Sequence, residues 1–194
     1  MKINNPANGL LDKESLRRDL TAIIATSETS ADRPCPNCDS PPAVSDCSSA
    51  CPSAPRALSC DPENHPLESK VVPIAFELAT SRVFQTCWSC EGHVDQDGHL
   101  WKFPQVSFYV SAPVYAQLLL KYVNGLMNDG KLSYSWSVLV SDYGPLNGVT
   151  YTLQPNLHMQ TEIHLGKLQH DLLTVSQNLA ANLKVLAKDL LASL

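Results

Sequence analysis

Every aromatic residue of this chain lies between Phe76 and Tyr151, whereas the stretch from Cys35 to Cys60 has none and carries five of the seven cysteines. A segment so poor in large apolar side chains cannot order itself by removing surface from water. The chain therefore divides into a part able to build a core and a part that needs some other fastening. Proline marks the same divide: eight of the 14 fall between Pro34 and Pro66, while glycine is absent between Gly9 and Gly92. A structureless connection running from Glu28 to Pro66 is too long for an ordinary loop in a small protein, which argues for an organising ligand.

The cysteine spacing suggests what that ligand is. Cys35-Pro-Asn-Cys38 and Cys47-Ser-Ser-Ala-Cys51 form two close thiol pairs. Each pair can present both sulfurs to one ion from a tight turn, and two pairs close a tetrahedron, the preferred geometry of zinc. Four protein ligands leave no position for water, so the expected role of this zinc is structural. Asp39 stands where zinc knuckles often use glycine, although Asn37 and Asp39 both tolerate left-handed backbone. Cys60 is a fifth thiol able to replace one of the four. Seven cysteines suit a disulfide framework poorly, and the first residues lack the apolar stretch of a signal peptide. A cytoplasmic location with reduced thiols is the expectation.

At 194 residues with 44% hydrophobic content, the chain suits one ordinary domain with an appendage. The expected division is residues 1–66, an N-terminal helix plus the cysteine-rich segment, and residues 67–194, an α+β domain. The formal net charge is −5, and Arg17-Arg18 is the densest cationic spot. General nucleic-acid binding is disfavoured without a cationic face, though a local patch is compatible with the sequence. No apolar run is long enough for a membrane helix.

Leu11, Leu16, Leu20, Ile23 and Ile24 place one apolar stripe on a helix over 10–27. A second helix is expected around Val71 to Ala79, begun or kinked by Pro73. Val83–Trp88 reads as a strand, Gly92–Gly98 as a turn and Val106–Val110 as the next strand. Ser111 is expected to cap a helix carrying Pro113 in its first turn and running to Met127. Tyr134, Trp136, Val138 and Val140 alternate with serines, the period of a half-buried strand, and Val149–Leu153 returns as its hairpin partner. The order predicts an α+β fold: an antiparallel sheet of about four strands covered by helices, with a long C-terminal helix. In that helix Leu165, Leu168, Leu172, Val175 and Leu179 follow steps of three and four, continued by Asn182 and Leu186. The stripe suits packing on the sheet, or a coiled-coil seam joining a homodimer or a partner protein.

A second chemically dense run is Thr86-Cys87-Trp88-Ser89-Cys90-Glu91-Gly92-His93, with His99 beyond it. It admits three readings. Cys87, Cys90, His93 and His99 have spacing compatible with a second zinc site. Cys90 can act as a nucleophile with His93 as its base and Glu91 as the orienting carboxylate. Alternatively Cys87 is a small core residue and the loop only turns. The helix with Pro73, the strand, Ser89-Cys90-Glu91-Gly92-His93 and the aromatic strand after it resemble small bacterial proteins of unassigned function. More distantly, they resemble the wybutosine-synthesis methyltransferase family that modifies tRNA. That resemblance implies that Ser89, Cys90, Gly92 and His93 line an active or ligand site; His93 stands where that family has arginine.

Trp88, Trp101 and Trp136 are expected in the core or on a sheet face, and His158, His164 and His170 as solvated side chains. The alternating Tyr and Trp side chains lack the interleaved basic residues of a base-stacking surface. The sequence thus favours a cytosolic zinc-binding protein whose structural metal segment clamps an α+β domain that binds a small-molecule ligand or a partner. The alternative is an enzyme acting on a nucleotide or modified RNA through the Cys90–His93 loop.

Overall fold

Nine elements follow one another in the computed structural model, which describes residues 6–26, 67–144, 148–157 and 162–194. The expected zinc ligands Cys35, Cys38, Cys47 and Cys51, with Cys60, lie outside those residues. Helix α1 is Pro6–Ala25, α2 Val72–Thr80, α3 Pro113–Asn128, α4 Leu165–Ser176 and α5 Leu179–Ala192; the strands are β1 Phe84–Val94, β2 Leu100–Val110, β3 Trp136–Gly144 and β4 Gly148–Pro155. The strands form one antiparallel sheet in the order β1-β2-β4-β3. The expected α+β class and four-stranded sheet are both present.

Alternation decides which face of the sheet is covered. Val106 lies opposite Leu153, and Leu153 opposite Val138, so one row of apolar side chains crosses three strands. Phe108, Leu153 and Trp136 are buried from it. Helices α2, α3 and α4 pack against the strands, and α1 and α5 pack on the helices. Leu20 and Ile23 of α1 share this core. The first helix therefore packs into the same core as the elements of 67–194.

Helix starts follow backbone chemistry. Pro73 lies in the first turn of α2, where a missing N–H costs nothing. The cap of α3 is Ala112 in extended conformation, with no side-chain cap bond, and not Ser111 as expected. Pro113 accounts for this: it holds the residue before it extended and starts the helix itself.

The C-terminal helix is two helices. Asn178 sits at φ 55°, ψ 26°, a left-handed conformation that asparagine tolerates, and α5 begins after it. Leu168, Leu172, Val175, Leu179 and Leu183 are all buried within the chain. The apolar stripe is thus spent on the protein's own core.

Two polar ties hold this half together. Asp171 of α4 is fully buried, and its carboxylate accepts N–H bonds from Ser133 (2.8 Å), Tyr134 (2.9 Å) and the Trp136 indole (3.1 Å). Glu77 of α2 accepts the Ala180 N–H at 3.2 Å, at the start of α5.

The β1–β2 hairpin is longer than expected. β1 continues to Val94 and β2 begins at Leu100, so the turn shrinks to the residues around Asp95–His99. β4 pairs with β2 only from Val106 to Tyr109. The outer half of the hairpin therefore projects past β4 as a two-stranded ribbon. Pro104 falls in this ribbon, where its missing donor breaks no ladder bond to β4. Two bulges interrupt the hairpin: Cys87, beside the part of β2 that pairs with β4, is the extra residue between Thr86 and Trp88, and Trp101, in the ribbon, is the extra residue where the pairing jumps from His93↔Lys102 to Val94↔Leu100.

Candidate metal centre

Cys90 and His93 are three residues apart, and in a regular strand such residues point to opposite faces. Gly92 removes that obstacle. It adopts φ +83°, a conformation that side-chain-bearing residues rarely take, and breaks the alternation between them. A Cβ at this position would lie 2.7 Å from both Leu165 Cδ1 and Pro104 Cδ, so the packing also requires glycine. Cys90 is buried, and its Sγ accepts the Gly92 N–H at 3.4 Å.

The third member comes from the turn before α2. Glu68 Oε1 lies 3.0 Å from His93 Nε2, and Glu68 Oε2 accepts the Glu91 N–H at 2.6 Å. Glu68, Cys90 and His93 each offer a ligand atom within 4.8 Å of the others. A tetrahedral zinc with bonds of about 2.0–2.3 Å would space such atoms roughly 3.3–3.7 Å apart, a modest contraction. Thiolate, imidazole and carboxylate are all zinc ligands, and three protein ligands leave a fourth position for water or substrate.

Glu91, the expected orienting carboxylate, is engaged elsewhere. Its Oε2 accepts the Lys70 N–H at 2.9 Å and faces the Ser69 hydroxyl at 3.5 Å, while its carbonyl accepts the Gln169 amide at 3.0 Å. The contacts of Glu68 and Glu91 are reciprocal and clasp the start of α2 to β1, leaving Glu68 as the carboxylate beside His93. His99 is likewise not part of this cluster. It meets Asp95 at 3.4 Å in the hairpin turn, where Asp95 also accepts the His99 and Asp97 N–H groups. Cys87 is half-buried at the first bulge. The foursome of Cys87, Cys90, His93 and His99 is therefore not assembled, and Glu68 joins Cys90 and His93 instead.

Burial pushes the Cys90 thiol above its ordinary range. The Gly92 N–H opposes that shift, the Glu68 charge adds to it, and the Lys102 charge opposes it. Without a cation the sulfur is thus held as a thiol, the reverse of what an activated nucleophile needs. A metal ion would displace that proton.

The remaining sequence candidates separate clearly. Trp136 is in the core, and Trp88 and Trp101, on strands β1 and β2, are 44% and 63% exposed, so both expected placements occur. His164 is half-exposed beside Glu162, His170 is exposed, and His158 lies outside the described residues. Glu68 had no signal in the sequence. It stands 22 positions before Cys90 and outside any ligand spacing, and only the return of β1 alongside the α2 turn brings it into place. No protein-family model, no curated protein and no solved structure matches this chain. Among the described residues, no helix is long and apolar enough to cross a membrane.

Proposed function

We propose that this chain is a zinc-binding protein in which the α+β body holds a metal ion through Glu68, Cys90 and His93. This ion is additional to the structural zinc expected at Cys35, Cys38, Cys47 and Cys51. The supporting observation is the convergence of three chemically different ligand atoms within 4.8 Å, achieved through a positive φ at Gly92. Strand geometry alone would part Cys90 from His93. Cys90 is buried while Glu68 and His93 keep about one-third of their side chains exposed, which suits ligand binding at the fourth position from their side. The body is then a ligand-binding domain and the front segment its structural clamp.

A thiol nucleophile is the weaker reading. The Cys90 thiol is held protonated by burial, and His93 Nε2 is already committed to Glu68.

Metal analysis of the full chain after dialysis tests the proposal. Two zinc ions per chain are expected, falling to one in Cys90→Ser and in His93→Ala. A chain with Cys35, Cys38, Cys47 and Cys51 all changed to serine isolates the second site. Cobalt(II) added to it should give a tetrahedral spectrum with a thiolate charge-transfer band that disappears on adding Cys90→Ser. An octahedral spectrum without thiolate character would overturn the assignment.

A further inference from the structure

The outer hairpin carries an exposed aromatic surface that the metal centre does not explain. Trp88, Trp101 and Phe103 are 44%, 63% and 42% exposed, far from what burial alone would give residues of this size. The Trp101 ring stacks on His93 with centroids 5.6 Å apart and planes at 24°. Lys102 places its ammonium 4.7 Å from the Trp88 ring centroid and 5.9 Å from that of Trp101. The bulge at Trp101 is what turns this side chain away from strict alternation with its neighbours. The ring of Trp101, His93 and the ammonium of Lys102 are thus already side by side in the ligand-free chain.

From this arrangement we infer a nucleotide-binding platform, with the base stacked on Trp101 and the phosphate paired to Lys102. It deepens the reading of a ligand-binding body, and the base and phosphate contacts stand whether or not the Glu68–Cys90–His93 site holds zinc. Three observations select this ligand class. An exposed indole offers a flat π face on which any base can stack. Among the described residues Lys102 is the cation placed over the rings, and one cation matches one phosphate. Glu68, Asp95 and Asp97 close to the same ribbon, with the net charge of −5, oppose a long polyanion. The acidic turn at the hairpin tip also opposes insertion of Trp101 and Phe103 into an anionic membrane. His93 belongs to both sites, so a nucleotide on Trp101 lies next to the fourth position of the proposed metal.

Calorimetric titration of the full zinc-loaded chain with adenosine 5′-monophosphate tests the inference, with adenosine, inorganic phosphate and a single-stranded oligoadenylate as separate arms. The monophosphate should bind more tightly than adenosine or phosphate. Trp101→Ala should weaken it about tenfold or more, and Lys102→Ala should reduce it to the level of adenosine while leaving adenosine unchanged. Oligoadenylate binding more tightly per site than the monophosphate would overturn the choice of a single nucleotide, and weaker binding would support it. No saturable heat up to millimolar monophosphate and oligoadenylate, or equal affinity in Trp101→Ala, would overturn it. Zinc content measured on the same samples separates the two proposals: both variants should keep their zinc, and Cys90→Ser should lose one zinc while still binding adenosine.

Discussion

Asp171 and Glu68 are both carboxylates that gather donors at the sheet, yet they make opposite kinds of centre. Asp171 is fully buried, and its three partners are two backbone N–H groups and an indole N–H. None of those protons can leave. Glu68 is one-third exposed and lies against an imidazole and a thiol, both of which can give up a proton to a cation. The first arrangement is saturated and serves only to hold α4 to the start of β3. The second is able to exchange protons for a metal ion. Burial and the chemistry of the donors distinguish architecture from function here more clearly than the count of hydrogen bonds does.

The sharpest way to break that contrast is to remove Asp171. Asp171→Ala strands the buried donors of Tyr134 and Trp136 and frees that of Ser133, and a loss of about 3–5 kcal/mol in unfolding free energy is expected from urea titration. Asp171→Asn should recover part of it. A variant as stable as the parent would show that the node is ornamental and the comparison false.

Next in size is Gly92→Ala. A side chain at φ +83° with two contacts of 2.7 Å should cost about 1–3 kcal/mol. Unlike Asp171→Ala, it should also weaken zinc binding, because relief of the strain moves Cys90 relative to His93. Glu68→Gln reverses the balance of effects. It should change stability by less than about 1 kcal/mol, being partly exposed, while lowering zinc affinity in chelator competition by about tenfold or more, since loss of a direct ligand costs at least as much as loss of a group behind one. If Glu68→Gln proved more disruptive to folding than to zinc affinity, Glu68 would belong with Asp171.

The sheet was legible because the alternation in Trp136, Val138 and Val140 and the return of Val149–Leu153 as a partner strand are local signals. So was the stripe in α4 and α5, whose Leu172 and Leu179 are buried within the chain. The break at Asn178 was hidden because asparagine also continues helices at acceptable cost. The site was half legible. Cys90, Gly92 and His93 stand together in the sequence, but Glu91 is the obvious carboxylate and Glu68 is not. Which of the two meets His93 depends on how the α2 turn lies along an edge strand, a long-range matter. The extension of the hairpin was missed for a similar reason: two bulges and a positive φ interrupt the pattern that marks a strand.

The smallest expected effect tests whether a third carboxylate belongs with Asp171 or stands apart. Glu77 is bonded to the Ala180 N–H, yet burial outweighs that bond and pushes its carboxyl above the ordinary value of 4.5. In the unfolded chain the group titrates near that value, so between the unfolded and folded pKa the native state holds more proton. Stability from this group is therefore fully present below the unfolded pKa and is lost as pH rises through the folded one. Glu77→Gln keeps an acceptor for Ala180 and removes the titration. The stability of the parent minus that of Glu77→Gln should then fall between pH 4 and pH 7, by less than about 1 kcal/mol because the group is incompletely buried. Taking the difference cancels the contribution of every other titrating group. A difference that rises over this range would mean that the helix N-terminus of α5 outweighs burial, and Glu77 would then be a stabilising cap like Asp171 in kind, if not in degree.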